Sequence, residues 1–285
     1  MSDFTIRPWQ SGDESALTEL WRIGFGDDED YIRAFHARFL KKDACLVAEC
    51  DGKPVSAMYI LDDITLFPFR RNTLSAAYTY ALATLPEYRG RGIGTAVYKA
   101  CCEAIWDRGI DAACVLPAEE SLYPFYQNAT NARVICSARE THYTAEELKA
   151  VTPTRCIRTG GAEYAAMHSG FLANEAHAEM NDDFCLWQEE NTDRFGGGVF
   201  MLVGGLASAV MDGRRCVIQE LLMPNGDEKA AAAAIAAFCP AEEYIVRAPA
   251  YWDGAGSLKP AMLASFRSEP KFFVPDDLWW GFSFD

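Results

Sequence analysis

The stretch 80–100, YALATLPEYRGRGIGTAVYKA, constrains this chain more than any other. Residues 73–85 are rich in Tyr, Ala, Thr and Leu and read as a long strand that stops at Pro86, a residue unable to donate to a sheet ladder. Glycines at 90, 92 and 94 follow, interleaved with Arg89 and Arg91. From about Gly94 to Arg108 a helix is expected, because Ile93, Val97, Ala100, Ala104 and Ile105 recur at helical spacing and Gly109 suits its stop. A strand that enters a helix through a basic glycine turn presents unpaired N–H groups at the positive end of the helix, which suits a phosphate. Glycine lets backbone and ligand approach closely, and arginine adds charge-assisted donors. A dinucleotide fingerprint read from Gly90 fails because its last glycine position is Thr95, and no Gly-Lys-Ser/Thr of a Walker loop is present.

The remaining pattern is that of a mixed α/β chain. Residues 4–9 read as a strand, Asp13 opens a helix through Leu17, Leu20 and Trp21, and Tyr31, Phe35, Phe39 and Leu40 mark a second helix. Strands are expected at 45–50 and 55–61 around the Asp51-Gly52 turn, at 112–116 and at 133–143. A short helix is expected over 121–127, with Ser121 as N-cap, and a linker over 149–155. In the second half, strands at 200–203, 207–211 and 215–222 precede the turn 223–226, an alanine-rich helix at 227–238 and a strand at 244–248. The order strand, proline, turn, helix, strand thus occurs at 82–116 and again at 221–248, which suggests a duplicated architecture. With 285 residues, two domains are expected, 1–148 and 149–285.

Composition narrows the function classes. A net charge of −15 opposes a nucleic-acid partner and is compatible with a cationic small molecule, although acidity also serves solubility. The ten cysteines form no CxxC pair and the four histidines no HExxH, so no metal is expected. No apolar run approaches the ~20 residues of a membrane span, and residues 1–10 do not resemble a signal peptide. These features lead to the expectation of a cytoplasmic protein with reduced, buried cysteines and no membrane partner, compatible with a homo-oligomer.

Arg89-x-x-Gly92-x-Gly94, preceded by Leu-x-Thr-x-Pro and followed by an amphipathic helix, resembles the R/Q-x-x-G-x-G/A signature of the GNAT acetyltransferase superfamily. Phe125-Tyr126 resembles that family's short cofactor-facing helix, although Thr130-Asn131 stands where Gly-Phe is common. The resemblance covers about residues 1–145, and the two-domain layout is similar to the tandem-GNAT, Eis-like acetyltransferases. It implies a mixed twisted sheet flanked by helices, followed by a second, degenerate GNAT-like domain without a pyrophosphate loop. It implies that acetyl-CoA lies against backbone groups of Leu82, Ala83 and Thr84, with its pyrophosphate on Arg89, Gly90, Arg91, Gly92, Ile93, Gly94 and Thr95 and with Ser121 nearby. It further implies that Tyr126 donates toward the CoA sulfur, with Tyr123 one turn earlier as the rival phenol. The expected activity is acetyl transfer to a primary amine of a small molecule or peptide. Transfer of another acyl or aminoacyl group, or CoA sensing without turnover, are the alternatives.

A base to deprotonate the amine is less legible. The strand 73–85 holds no acid, Asp62, Asp63, Glu119 and Glu120 read as solvated, His142 as structural, and Cys101 and Cys102 as packing. The tail Trp279-Trp280-Gly281-Phe282-Ser283-Phe284-Asp285 is aromatic where termini are usually polar, and Trp280, Phe282 and Phe284 have the spacing of one strand face. The resemblance adds that Eis-like enzymes use the terminal carboxylate as base, a role that falls to Asp285. Appending a Gly-Ser extension after Asp285 is therefore expected to raise the amine KM and lower turnover. Steady-state kinetics giving unchanged values for the extended protein would exclude the terminal carboxylate.

Overall fold

The structure is a computed structural model that describes residues 4–69 and 72–281. The first half runs β1 (Thr5–Pro8), α1 (Glu14–Phe25), α2 (Glu29–Phe39), β2 (Cys45–Cys50), β3 (Lys53–Phe69), β4 (Asn72–Thr84), α3 (Ile93–Asp107), β5 (Ala112–Val115), α4 (Tyr123–Thr130), β6 (Arg133–Val134), β7 (Ser137–Thr144) and α5 (Ala145–Lys149). The second half continues β8 (Cys156–Arg158), α6 (Gly161–Leu172), β9 (His177–Met180), α7 (Asp182–Arg194), β10 (Gly198–Leu202), β11 (Gly205–Asp212), β12 (Arg215–Leu222), α8 (Glu228–Ala236), β13 (Glu243–Pro249), β14 (Ser257–Pro260) and β15 (Leu263–Phe266).

Two compact units result, and they are not the contiguous segments 1–148 and 149–285. Among the described residues, the first holds 4–64, 74–133 and 263–271, and the second holds 65–69, 72–73, 134–262 and 272–281. The interleaving has a ladder-level cause. β7 pairs antiparallel with β13 from Thr144↔Glu243 to Ala138↔Pro249, which commits it to the second sheet. β15 pairs antiparallel with β5 from Phe266↔Ala112 to Leu263↔Val115, which carries a late segment into the first sheet.

In the first unit, β1, β2, β3, β4, β5 and β15 lie side by side in that order, with β4 and β5 parallel. Leu17, Leu20 and Trp21 of α1, Ile32 and Phe35 of α2, and Val97, Cys101 and Ile105 of α3 are buried, so each helix presents one apolar stripe to the core. Asp13 does not cap α1. Its carboxylate instead takes Arg7 at 2.7 Å and the Gln10 N–H at 2.9 Å, pinning β1 to the start of the helix. α1 stops at Gly26, whose φ of 81° lets its N–H reach the Arg22 carbonyl. Asp28 caps α2 by accepting from the Tyr31 N–H at 2.8 Å.

The second unit repeats the scheme with the order β14-β7-β13-β12-β11-β10-β8 and a parallel β12–β13 pair. α8 buries Ala231, Ala232, Ala234 and Ile235 against Phe200, Leu202, Cys216, Ile218 and Val246. The sequence reading did not anticipate α6, β9 or α7. It placed one helix at 121–127 where a 3-10 turn, Glu120–Leu122, precedes α4, and Ser121 caps neither.

The tail is tied into the second unit. Trp279 donates its N–H to the Ala176 carbonyl at 2.9 Å, its carbonyl accepts from Ala178 at 2.7 Å, and Trp279 and Trp280 are both buried. Phe282, Phe284 and Asp285 lie outside the described residues. Trp279 also donates its indole N–H to Glu220 at 2.6 Å, where His168 stands at 3.1 Å and the Tyr164 hydroxyl donates as well. Burial favours the neutral forms, but the opposite charges and hydrogen bonds prevail, holding Glu220 below the usual carboxylate value and His168 above the usual imidazole value.

The lowered Glu220 stabilises the fold above its unfolded value, and the raised His168 does so below its own. Their joint contribution is therefore complete between about pH 4.5 and 6.5 and falls as pH rises through the folded His168 value. Removing one partner of a buried pair costs about 3–5 kcal/mol. Glu220→Gln is thus expected to lower stability at pH 5.5 by that order and to flatten the decline between pH 5.5 and 8.5. Urea melts at the two pH values check this, and an unchanged midpoint in the variant would contradict it.

Candidate functional site

The first unit contains a wedge. β4 and β5 pair through Ala76↔Ala112, Ala77↔Ala113 and Tyr78↔Cys114, after which β4 continues to Thr84 without that partner. The Thr79 hydroxyl spans the last step by donating to the Cys114 carbonyl at 2.9 Å. On its other side β4 remains held. Ser56 donates to the Ala83 carbonyl at 2.8 Å and sits 2.8 Å from the Thr84 hydroxyl, and Leu85 donates to Val55 at 2.9 Å. Ala81, within the freed stretch, has a φ of 52°, a left-handed conformation that breaks the regular alternation of the strand.

The phosphate-type loop closes this freed strand. Pro86–Tyr88 make one 3-10 turn, Gly90 has φ 74°, and Gly92 at φ 77° is the N-cap of α3 without a side-chain cap. The first helical bond is Ala96 N–H to the Gly92 carbonyl at 3.0 Å, so the N–H groups of Ile93, Gly94 and Thr95 precede it and have no carbonyl one turn back. Arg89 donates to the Thr84 carbonyl at 2.9 Å, and Arg91 donates to the Glu87 carbonyl at 2.6 Å while lying 5.0 Å over the Tyr88 ring. A side chain at Gly94 would meet Thr84 and Leu82, so α3 begins close against the end of β4. The bare N–H groups, two guanidinium groups and absence of a capping carboxylate fit a pyrophosphate.

Tyr126 is buried on α4 with its ring 4.9 Å from Tyr98, edge to face, and 4.9 Å from Phe125. No hydrogen bond to its hydroxyl occurs among the described residues. Burial pushes the phenol up to about 12, so it stays protonated at neutral pH. Ser121 is exposed and donates to Glu119 at 3.2 Å, and Tyr123 is half-buried at the start of α4. Of the other candidate bases, Asp62 faces Arg108 at 3.5 Å and His142 pairs with Glu140 at 3.0 Å in the second unit. Burial pushes the Cys101 thiol well above its usual value and Cys102 up to about 12, which makes neither a nucleophile.

The sequence reading missed Asp27. It follows the glycine stop of α1, and its carboxylate accepts the Trp21 indole N–H at 2.7 Å. Burial raises its carboxyl above the usual value, with the Trp21 bond pulling the other way. Trp21 packs 5.7 Å from Tyr80, which lies two residues beyond the last β4–β5 pair and also approaches Tyr78 and Phe35. A partly buried carboxylate therefore stands behind the aromatic face of the wedge. The signal was present in Gly26-Asp27-Asp28: only Asp28 is used as a cap, which leaves the first acid without a local role.

The second unit has a wedge too, since β12 and β13 part after Ile218↔Val246, but its helix end differs. Asp227 caps α8 through the Ala230 N–H at 3.0 Å, and Glu228 takes buried Arg139 at 2.6 Å and the Tyr143 hydroxyl at 3.0 Å. The chain's own carboxylates occupy the anion position, and Glu220, two residues past the parting, is already bound to Trp279.

Residues 5–129 match the family described as Acetyltransferase (GNAT) domain. Among curated protein sequences none matches the chain. Solved structures share the fold over most of it. A GCN5-related N-acetyltransferase from Kribbella flavida is 14% identical with a TM-score of 0.67, over 92% of this chain and 70% of that one. Eis1 from Mycobacterium abscessus is 14% identical with a TM-score of 0.63, over 92% and 73%. A tandem GNAT protein from the clavulanic acid biosynthesis pathway is 12% identical with a TM-score of 0.55, over 94% and 100%.

Calorimetry is expected to find one acetyl-CoA per chain and none in Gly92→Asp, which strains a left-handed position and places a carboxylate at the anion site. Two sites per chain, or retained binding in the variant, would exclude this loop as the sole cradle.

Proposed function

On the premise that residues 5–129 are a GNAT acetyltransferase domain and the protein an acyltransferase, we propose that it transfers the acetyl group of acetyl-CoA to a primary amine of a small molecule or peptide by direct attack. The observation that carries this reading is the freed half of β4 running from the parting at Tyr78 to the bare helix end at Gly92. A strand with one open edge offers main-chain groups to an extended amide-bearing arm, and the helix end offers N–H groups to its pyrophosphate. Leu82 and Thr84 flank buried Ala83 on that edge, and Arg89 to Thr95 form the cradle.

The thioester supplies an activated acetyl carbon. The acceptor nitrogen must arrive neutral, and a lysine-like ammonium with pKa ~10.4 must first lose a proton. Asp27 is suited to hold that ammonium and to take its proton, directly or through water, since burial raises its basicity. As the new C–N bond forms and the C–S bond breaks, the Tyr126 hydroxyl gives a proton to the departing sulfur, and the proton that the nitrogen loses on becoming an amide returns through water to the phenol. The phenol, held protonated, is available for this throughout the neutral range. The overall acidity of the chain agrees with a cationic acceptor.

CoA release should appear with at least one member of a panel of polyamines, aminoglycosides and peptide amines. Asp27→Asn and Tyr126→Phe are each expected to lose roughly 10²- to 10⁴-fold in rate with acetyl-CoA affinity unchanged. Full activity in Asp27→Asn would remove that carboxylate from the reaction. Full activity in Tyr126→Phe alongside a slow Tyr123→Phe would reassign the donor.

A further inference from the structure

α4 is only eight residues long and cannot hold a side chain in place by its own ladder. Its C-terminal end is fixed by hydroxyl groups. The Thr130 hydroxyl, on the last residue of α4, lies 2.5 Å from the Ser265 hydroxyl, 3.3 Å from the Tyr98 hydroxyl and 3.4 Å from the Tyr126 carbonyl. Tyr98 and Ser265 are buried, and their hydroxyls stand 3.5 Å apart. Each member belongs to a different element. Tyr98 comes from α3, the helix that starts at the phosphate-type loop, and Ser265 comes from β15, where it pairs with Ala113. Tyr98 is the hinge of the arrangement, because its hydroxyl enters the node while its ring packs edge to face on Tyr126 at 4.9 Å.

Losing one member of this largely buried hydroxyl node removes hydrogen bonds from the others in a low-dielectric interior. The node therefore fixes the end of α4 relative to both α3 and β15. Nothing in the donor or acceptor chemistry proposed above uses these hydroxyls. We infer that Ser265, Thr130 and Tyr98 are positioning residues for transfer, acting through Tyr126 by holding its hydroxyl in line with the leaving sulfur. This rests on the reading of Tyr126 as the proton donor. It gives the far C-terminal strand a role in the rate of the reaction as well as in folding.

The test is a double-mutant design on the full chain. Thr130→Val preserves shape and removes the hydroxyl, Ser265→Ala removes a different member, and Thr130→Ser retains the hydroxyl. Misplacing a catalytic group by about 1 Å costs up to about 10²-fold, so Thr130→Val and Ser265→Ala are expected to lower kcat about 10- to 100-fold with both KM values unchanged. Thr130→Ser should restore most of kcat. In the Tyr126→Phe background the same substitutions should cause no further loss in kcat, although they lower Tm as they do in the parent. Three results overturn the inference: full kcat in both Thr130→Val and Ser265→Ala, equal losses with and without the Tyr126 hydroxyl, or no recovery in Thr130→Ser. Full activity of Tyr126→Phe alone would instead remove the donor reading beneath it, and is read separately from the same set.

Discussion

The parting of two parallel strands after three paired positions is the constraint on which the first unit depends. A parallel ladder normally buries every backbone group it contains. Ending it at Tyr78 and Cys114 leaves the rest of β4 with polar groups that must be satisfied on one side by β3 and on the other by something that is not sheet. The structure answers the first need with Ser56 and Val55. On the other side Arg89 donates to the Thr84 carbonyl, and a helix end and an aromatic wall border the opening.

The second unit shows the same geometry resolved differently. Where the first unit leaves the helix end bare, the second fills it with Asp227 and the Glu228–Arg139 pair, and Trp279 reaches the carboxylate of Glu220 just past its strand parting. The same backbone arrangement is thus open in one copy and closed by internal charge and indole in the other. This is an electrostatic distinction, since both units retain strand, turn, helix and parallel strand.

How much of this the sequence disclosed follows from how local each cause is. The loop was legible because glycines at left-handed φ and a proline stop are properties of neighbouring residues. The duplicated order was legible for the same reason. α7 was not, because it buries Gln188, Asn191 and Thr192 beside Phe184 and Trp187, which removes the apolar period that marks a helix. Asp27 became visible only when α1 and α2 folded its carboxylate against Trp21, and the Glu220–His168 contact joins residues 52 positions apart. The place of β15 beside β5 is of that kind as well, set by pairing across the whole chain.

That pairing also bears on how the molecule is made. β5 is complete at residue 115, yet its second neighbour ends at residue 266, so about 150 further residues must be synthesised first. At roughly 5–20 residues per second, the newborn β5 carries an open ladder edge of Ala112, Ala113, Cys114 and Val115 for some 8–30 seconds. Such an edge is a template for mispairing with any extended strand nearby. The brevity of β5, four residues, keeps that template small while the chain waits for its own closing strand.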